Sequence, residues 1–217
     1  MLDISCLLAG LVRLLGPVAF LIIWHKKTGA RFFPAPVAFA VCIPVFIVGG
    51  AIRTGFSHSD FYTYYILQGL LYGILEEGAK FLMLKYVLTA YSECKDAVTY
   101  NIGHSAFEAS GGGIACLALI GSGRAASDIL FVNTFTTVEE AFSCVAIGAI
   151  IYYGIYTGKS IVTMPAVIFL HAFSSFAGGI LMFNTPVLAV VLTLLTAGKC
   201  YAGYRCWKAV KSDYGYF

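Results

Sequence analysis

Seven apolar stretches, at 2–24, 35–52, 64–88, 97–120, 129–156, 164–183 and 187–207, follow one another with short polar connections between them. Each is close to the ~20 residues that carry a helix across a bilayer, so the pattern predicts seven transmembrane helices. The first stretch carries Asp3 in place of a basic leader and has no small-residue cleavage site after it. It therefore reads as a retained span rather than a secretory signal. One set of connections holds Lys26, Lys27, Arg31, Lys85, Lys95 and Lys159, and the tail on that side adds Arg205, Lys208 and Lys211. The opposite set holds only Arg53 and Arg124. Basic residues favour the cytoplasmic side, so the N-terminus is expected outside and the C-terminus in the cytoplasm. An odd number of spans demands the same separation of the termini.

Composition strengthens this reading. Of 217 residues 59% are hydrophobic and only 12% are charged, against about 25% charged in an ordinary soluble domain. Seven spans with short loops use up the chain, so residues 1–217 are expected to form a single integral membrane domain, an all-α polytopic bundle. The net charge of +3 is scattered over loops. No basic run with interleaved aromatics suggests a nucleic-acid surface. Seven cysteines form no CxxC pair and lie mostly in apolar runs; they read as reduced and structural.

The spans contain residues that a bilayer penalises. Five of the six glutamates (Glu76, Glu77, Glu108, Glu139, Glu140) fall inside them, with Lys80, His104 and His171. A charged side chain at the centre of a spanning helix costs on the order of 2.5 to 3.5 kcal/mol on insertion scales, so a set of five marks function. Five carboxylates against Lys80 also leave an excess of negative charge that a divalent cation would relieve, with Arg13 and Lys199 contributing only if they face the same cavity. His25 and His58 fall in loops and read as solvated.

Helical spacing sorts the candidates. On the third helix Gln68, Tyr72, Glu76, Lys80 and Met83 form one stripe, while Glu77 shares the adjacent one with Gly69 and Gly73, whose spacing permits close helix contact. Asn101, His104, Glu108 and Gly111 share a face of the fourth helix, and Asn133, Thr137, Glu140 and Cys144 a face of the fifth. The sixth offers His171 and Ser175. At 1.5 Å per residue, Glu77 lies about 12 Å from its cytoplasmic end, His104 and Glu108 about 10 to 16 Å, and His171 about 10 Å. Glu140, about 18 Å from Tyr152, is less well placed by this count. Two histidines and one glutamate, His104, Glu108 and His171, make a donor set of the kind catalytic zinc sites use. Glu76 or Glu77 would then take the proton of an activated water. Lys80 is a counter-charge for Glu76 or a partner for a developing oxyanion.

The segments EEGAK at Glu76–Lys80, GHSAFEA at Gly103–Ala109 and LHAFSSF at Leu170–Phe176 resemble the motifs of the YhfC family of intramembrane metalloproteases. That family is similar to PrsW and to the CAAX protease and bacteriocin-processing enzymes, whose hallmarks are paired glutamates followed by histidine motifs on later helices. The resemblance implies a metal-dependent hydrolase of a prokaryotic cell membrane, in which Glu76 and Glu77 activate water, and in which His104, Glu108 and His171 hold a divalent metal, zinc by the family's chemistry. Its substrate would be a membrane-embedded or membrane-adjacent peptide, and its surroundings the lipid bilayer; homo-oligomerisation is left open. Two positions depart from the pattern. The fifth helix offers Glu139 and Glu140, with a supporting role, where relatives often carry a histidine. Ser175, beside Asn101 among the supporting groups, stands where relatives often have Asp or Asn.

Two other readings stay open at this stage. One is a non-catalytic relative with a polar core, similar to the scaffold subunit of gamma-secretase. The other is a proton- or metal-coupled transporter, since buried carboxylates and histidines also build relays, although no inverted repeat is visible.

Overall fold

The computed structural model describes residues 2–122, 128–181 and 184–214. Arg124 lies outside them, as does the side chain of Lys211. Within them the chain is helical throughout: α1 (Leu2–Thr28), α2 (Pro34–Thr54), α3 (Phe61–Leu82), α4 (Cys94–Ala118), α5 (Ile129–Tyr156), α6 (Ser160–Leu181) and α7 (Thr185–Tyr214). The ends follow ordinary capping chemistry. Gly29, with φ +66°, stops α1, and its N–H donates to the His25 carbonyl at 2.8 Å, a conformation glycine adopts without strain. Asp60 accepts from the Tyr62 and Thr63 amides at the start of α3, filling donors that a helix N-terminus leaves open. Five helices, α1, α2, α5, α6 and α7, are long and apolar enough to cross a membrane. The two that fall short, α3 and α4, carry most of the candidate chemistry: Glu76, Glu77 and Lys80 on one, His104 and Glu108 on the other.

α4 is the hub, packed against α1, α2 and α5, while α3 packs on α6 and α7 on α5. From Asp96 to Ser105 every residue of α4 is buried, so its polar groups face protein on all sides. Two close approaches set the site. At Gly103 a Cβ would lie 2.1 Å from the Ala35 carbonyl oxygen, so α2 runs directly against α4 beside His104. On α3, a Cβ at Gly69 would come within 2.6 Å of the Ala172 oxygen, and one at Gly73 within 2.9 Å of the Ile168 oxygen. The absence of side chains there lets the backbones of α3 and α6 meet, which brings the paired glutamates alongside His171.

The basic connections gather at one end of the bundle. Arg31, between α1 and α2, pairs with the fully buried Asp96 at the start of α4, and this hydrogen bonding raises its affinity for its proton above the ordinary arginine value. Trp24 Nε1 donates to the Lys95 carbonyl at 3.1 Å, and its ring meets that of Trp207 edge-on at 6.0 Å. His25 lies in the last turn of α1 rather than in a loop and is half-buried: Nδ1 sits 2.6 Å from the Ala30 carbonyl and the ring stacks on Phe32. All seven cysteines are free.

Candidate metal centre

Three helices supply the inner groups: α3 (Glu76, Glu77, Lys80), α4 (His104, Glu108) and α6 (His171). Glu76, Glu77 and His104 are each no more than 2% exposed. His104 Nε2 lies 2.9 Å from Glu76 Oε2 and 3.7 Å from Glu108 Oε1. His171 Nε2 lies 3.6 Å from the same Glu76 oxygen. Glu76, Glu108 and His171 each offer one ligand atom, all within 4.8 Å of one another. The compact group thus includes Glu76 where the sequence reading had His104, and His104 stands against Glu76.

Both rings are held from behind. His171 Nδ1 is 2.8 Å from Glu77 Oε1; an ionised carboxylate can only accept, so Nδ1 carries a proton, and Nε2 faces Glu76. His104 Nδ1 meets the buried Cys42 sulfur at 3.0 Å. Engaging one ring nitrogen outward and aiming the other inward is how proteins prepare histidines for a metal. Cys42 carried no signal in the sequence, since a thiol inside an apolar run looks like any small hydrophobe.

Charge pairing divides the five carboxylates. Lys80 Nζ donates to Glu77 Oε1 at 2.7 Å, one turn back on its own helix, rather than to Glu76. Arg13 of α1 pairs with Glu140 at 2.8 Å and also reaches Thr136. Lys199 of α7 stands 3.5 Å from Glu139, which accepts from Thr196 at 2.6 Å and Ser143 at 2.8 Å. Among the described residues Glu76 and Glu108 have no lysine or arginine partner, and these are the two acids of the compact group. Two carboxylates that face histidines rather than a lysine or arginine match the charge of one divalent cation.

Most of these groups, though not Glu76 or Arg13, line a cavity of about 260 Å³. Its wall includes Glu77, Lys80, His104, Glu108 and His171, and on the far side Glu139 and Glu140 with Lys199; Asn101 and Ser175 line it as well. The Asn101 amide donates to its own helix at the Ala97 carbonyl. Glu77 Oε2 is buried and unbonded within the protein.

Five helices able to cross a bilayer around a buried carboxylate and histidine cluster define an integral membrane protein with a metal-capable core. Residues 41–143 match the family described as YhfC intramembrane metalloprotease. The match takes in Cys42, the paired glutamates, His104, Glu108, Glu139 and Glu140, and ends before His171. No curated protein and no solved structure matches the chain.

Proposed function

We propose that the protein is an intramembrane metal-dependent endopeptidase. The observation that carries this reading is the pairing pattern: three acids are committed to Lys80, Arg13 and Lys199, and the remaining two, Glu76 and Glu108, stand together with two inward-facing histidine nitrogens. Nitrogen and carboxylate donors in this number suit zinc. In this reading His104, Glu108 and His171 hold the metal. When bound, a divalent metal makes water a nucleophile near neutral pH. Glu76, with no lysine or arginine partner among the described residues and with Oε2 between the two rings, would take the proton from such a water. Glu77 keeps the His171 ring oriented, and Lys80 balances Glu77. Glu139 and Glu140 support the far wall of the cavity, where a peptide strand would lie.

The reading extends to the whole chain as one membrane domain of seven spans, with Asp96 to Ser105 of α4 enclosed by the other helices. It places the N-terminus outside, the C-terminus in the cytoplasm of a prokaryotic cell, and the enzyme beside the PrsW and CAAX-type proteases. Reporter fusions at Ser57 and Thr89, on either side of α3, should report opposite sides of the membrane; the same side for both would remove α3 as a span.

Metal content tests the centre directly. Detergent-purified protein should hold about one divalent metal per chain, and a His104→Ala, His171→Ala double variant should lose it, since two of three ligands are gone. Wild-type protein that binds no metal and cleaves no membrane-derived peptide would leave a polar-cored scaffold as the better reading.

A further inference from the structure

A second cavity, of about 990 Å³, runs between α1 and α7 with α5 as its floor, and the mechanism above makes no use of it. Its lining is apolar along most of its length, with small residues such as Gly16, Ala146, Ala149 and Gly203 at the contact positions. At the basic end of the bundle it finishes against Trp24, Trp207 and Lys208. At the other end it reaches Val12, so it follows sixteen residues of α1 from Thr28, about 24 Å. One leaflet of a bilayer contributes about 15 Å of hydrocarbon, half of the ~30 Å core.

We infer that this groove binds a hydrocarbon chain of an anionic membrane lipid, with the lipid headgroup at Lys208. Three observations carry the assignment. The groove begins where the cationic connections lie and where two tryptophans mark the level of the membrane interface. Its length accommodates a chain that enters from that leaflet and extends to the bilayer centre. Its lining is apolar over most of its length, the surface that an acyl chain needs. Lys208 is exposed at the mouth and offers charge to a phosphate-bearing headgroup. Ser105 and Cys144 line both this groove and the polar cavity, so a chain seated there closes the apolar flank of the candidate metal centre. The inference stands whether or not the protein cleaves peptides.

Trp24 and Trp207 are the two tryptophans of the chain, and both border the groove, which gives a direct readout. The protein is placed in phosphatidylcholine vesicles containing a small fraction of brominated phosphatidylglycerol, or the same fraction of brominated phosphatidylcholine. Tryptophan fluorescence should be quenched preferentially by the anionic lipid. Lys208→Gln should reduce that preference about fivefold, the order of one basic residue at an anionic surface. Ala19→Phe, which narrows the groove from its exposed rim, should abolish the excess quenching while leaving helix content unchanged, and Ala141→Leu should do the same from the floor. Equal quenching by the two headgroups in wild-type protein would overturn the inference, as ordinary annular lipid would explain it. So would an excess that survives all three substitutions. Fluorescence insensitive to both lipids, with a chemically cross-linked dimer, would overturn it in favour of a second copy covering the groove.

Discussion

Glu76→Gln will leave the protein folded and loaded with metal, and will lower its rate of peptide cleavage by about a hundredfold to ten-thousandfold, the usual cost of losing a general base. Glutamine keeps the shape beside His104 Nε2, which lies 2.9 Å from Oε2, but it cannot take a proton from water. Among the described residues no lysine or arginine pairs with Glu76, so neutralising it breaks no such ion pair. The effect should fall on kcat and on kcat/KM alike, because the interaction is made only as the proton moves. Metal analysis of the same variant distinguishes roles: if the metal is lost with the activity, Glu76 is a ligand in place of His104, as the compact Glu76, Glu108 and His171 group would also allow.

The helices were legible because apolar runs of the right length are the strongest signal a membrane chain carries, and the structure extends several of them outward into polar residues. α1 continues to Thr28 and α6 begins at Ser160, since backbone hydrogen bonding and caps set a helix end while hydropathy marks only the part in lipid. The common level of His104, Glu108 and His171 could be counted along the helices from a fixed rise per residue. Which glutamate Lys80 would choose could not. Glu76 and Glu77 stand at i−4 and i−3 from it, both within reach, and the rotation of α3 against α6 decides in favour of Glu77. Nor could the partners of Glu139 and Glu140 be read. Arg13 and Lys199 lie on α1 and α7, more than fifty residues away in sequence, and only the packing of both helices on α5 brings them in. The charge balance that isolates Glu76 and Glu108 is therefore a tertiary property. Cys42 behind His104 belongs to the same class: the backbone contact at Gly103 and Ala35 puts it there.

Glu77→Gln should act on the fold where Glu76→Gln does not. Its carboxylate is 1% exposed and holds Lys80 at 2.7 Å and His171 Nδ1 at 2.8 Å through the same oxygen. With glutamine in its place the Lys80 ammonium stays buried without a counter-charge, and breaking a buried pair from one side costs about 3–5 kcal/mol. Adding Lys80→Met removes the stranded charge and supplies an apolar stem of similar length. The Glu77→Gln, Lys80→Met protein should regain most of the lost stability, because replacing both members of such a pair by uncharged groups is often close to neutral. Denaturant unfolding of the two single variants and the double variant in detergent micelles measures this, as a coupling of the order of 1–3 kcal/mol between the sites. Metal affinity should follow a different course. Glutamine still accepts a hydrogen bond from His171 Nδ1, but no longer as an anion, and loss of such an orienting partner typically weakens metal binding about tenfold to a hundredfold. The double variant should therefore be stable and still bind metal weakly. If its affinity recovers together with its stability, Glu77 serves only to balance Lys80 and the proposed orientation of His171 is wrong.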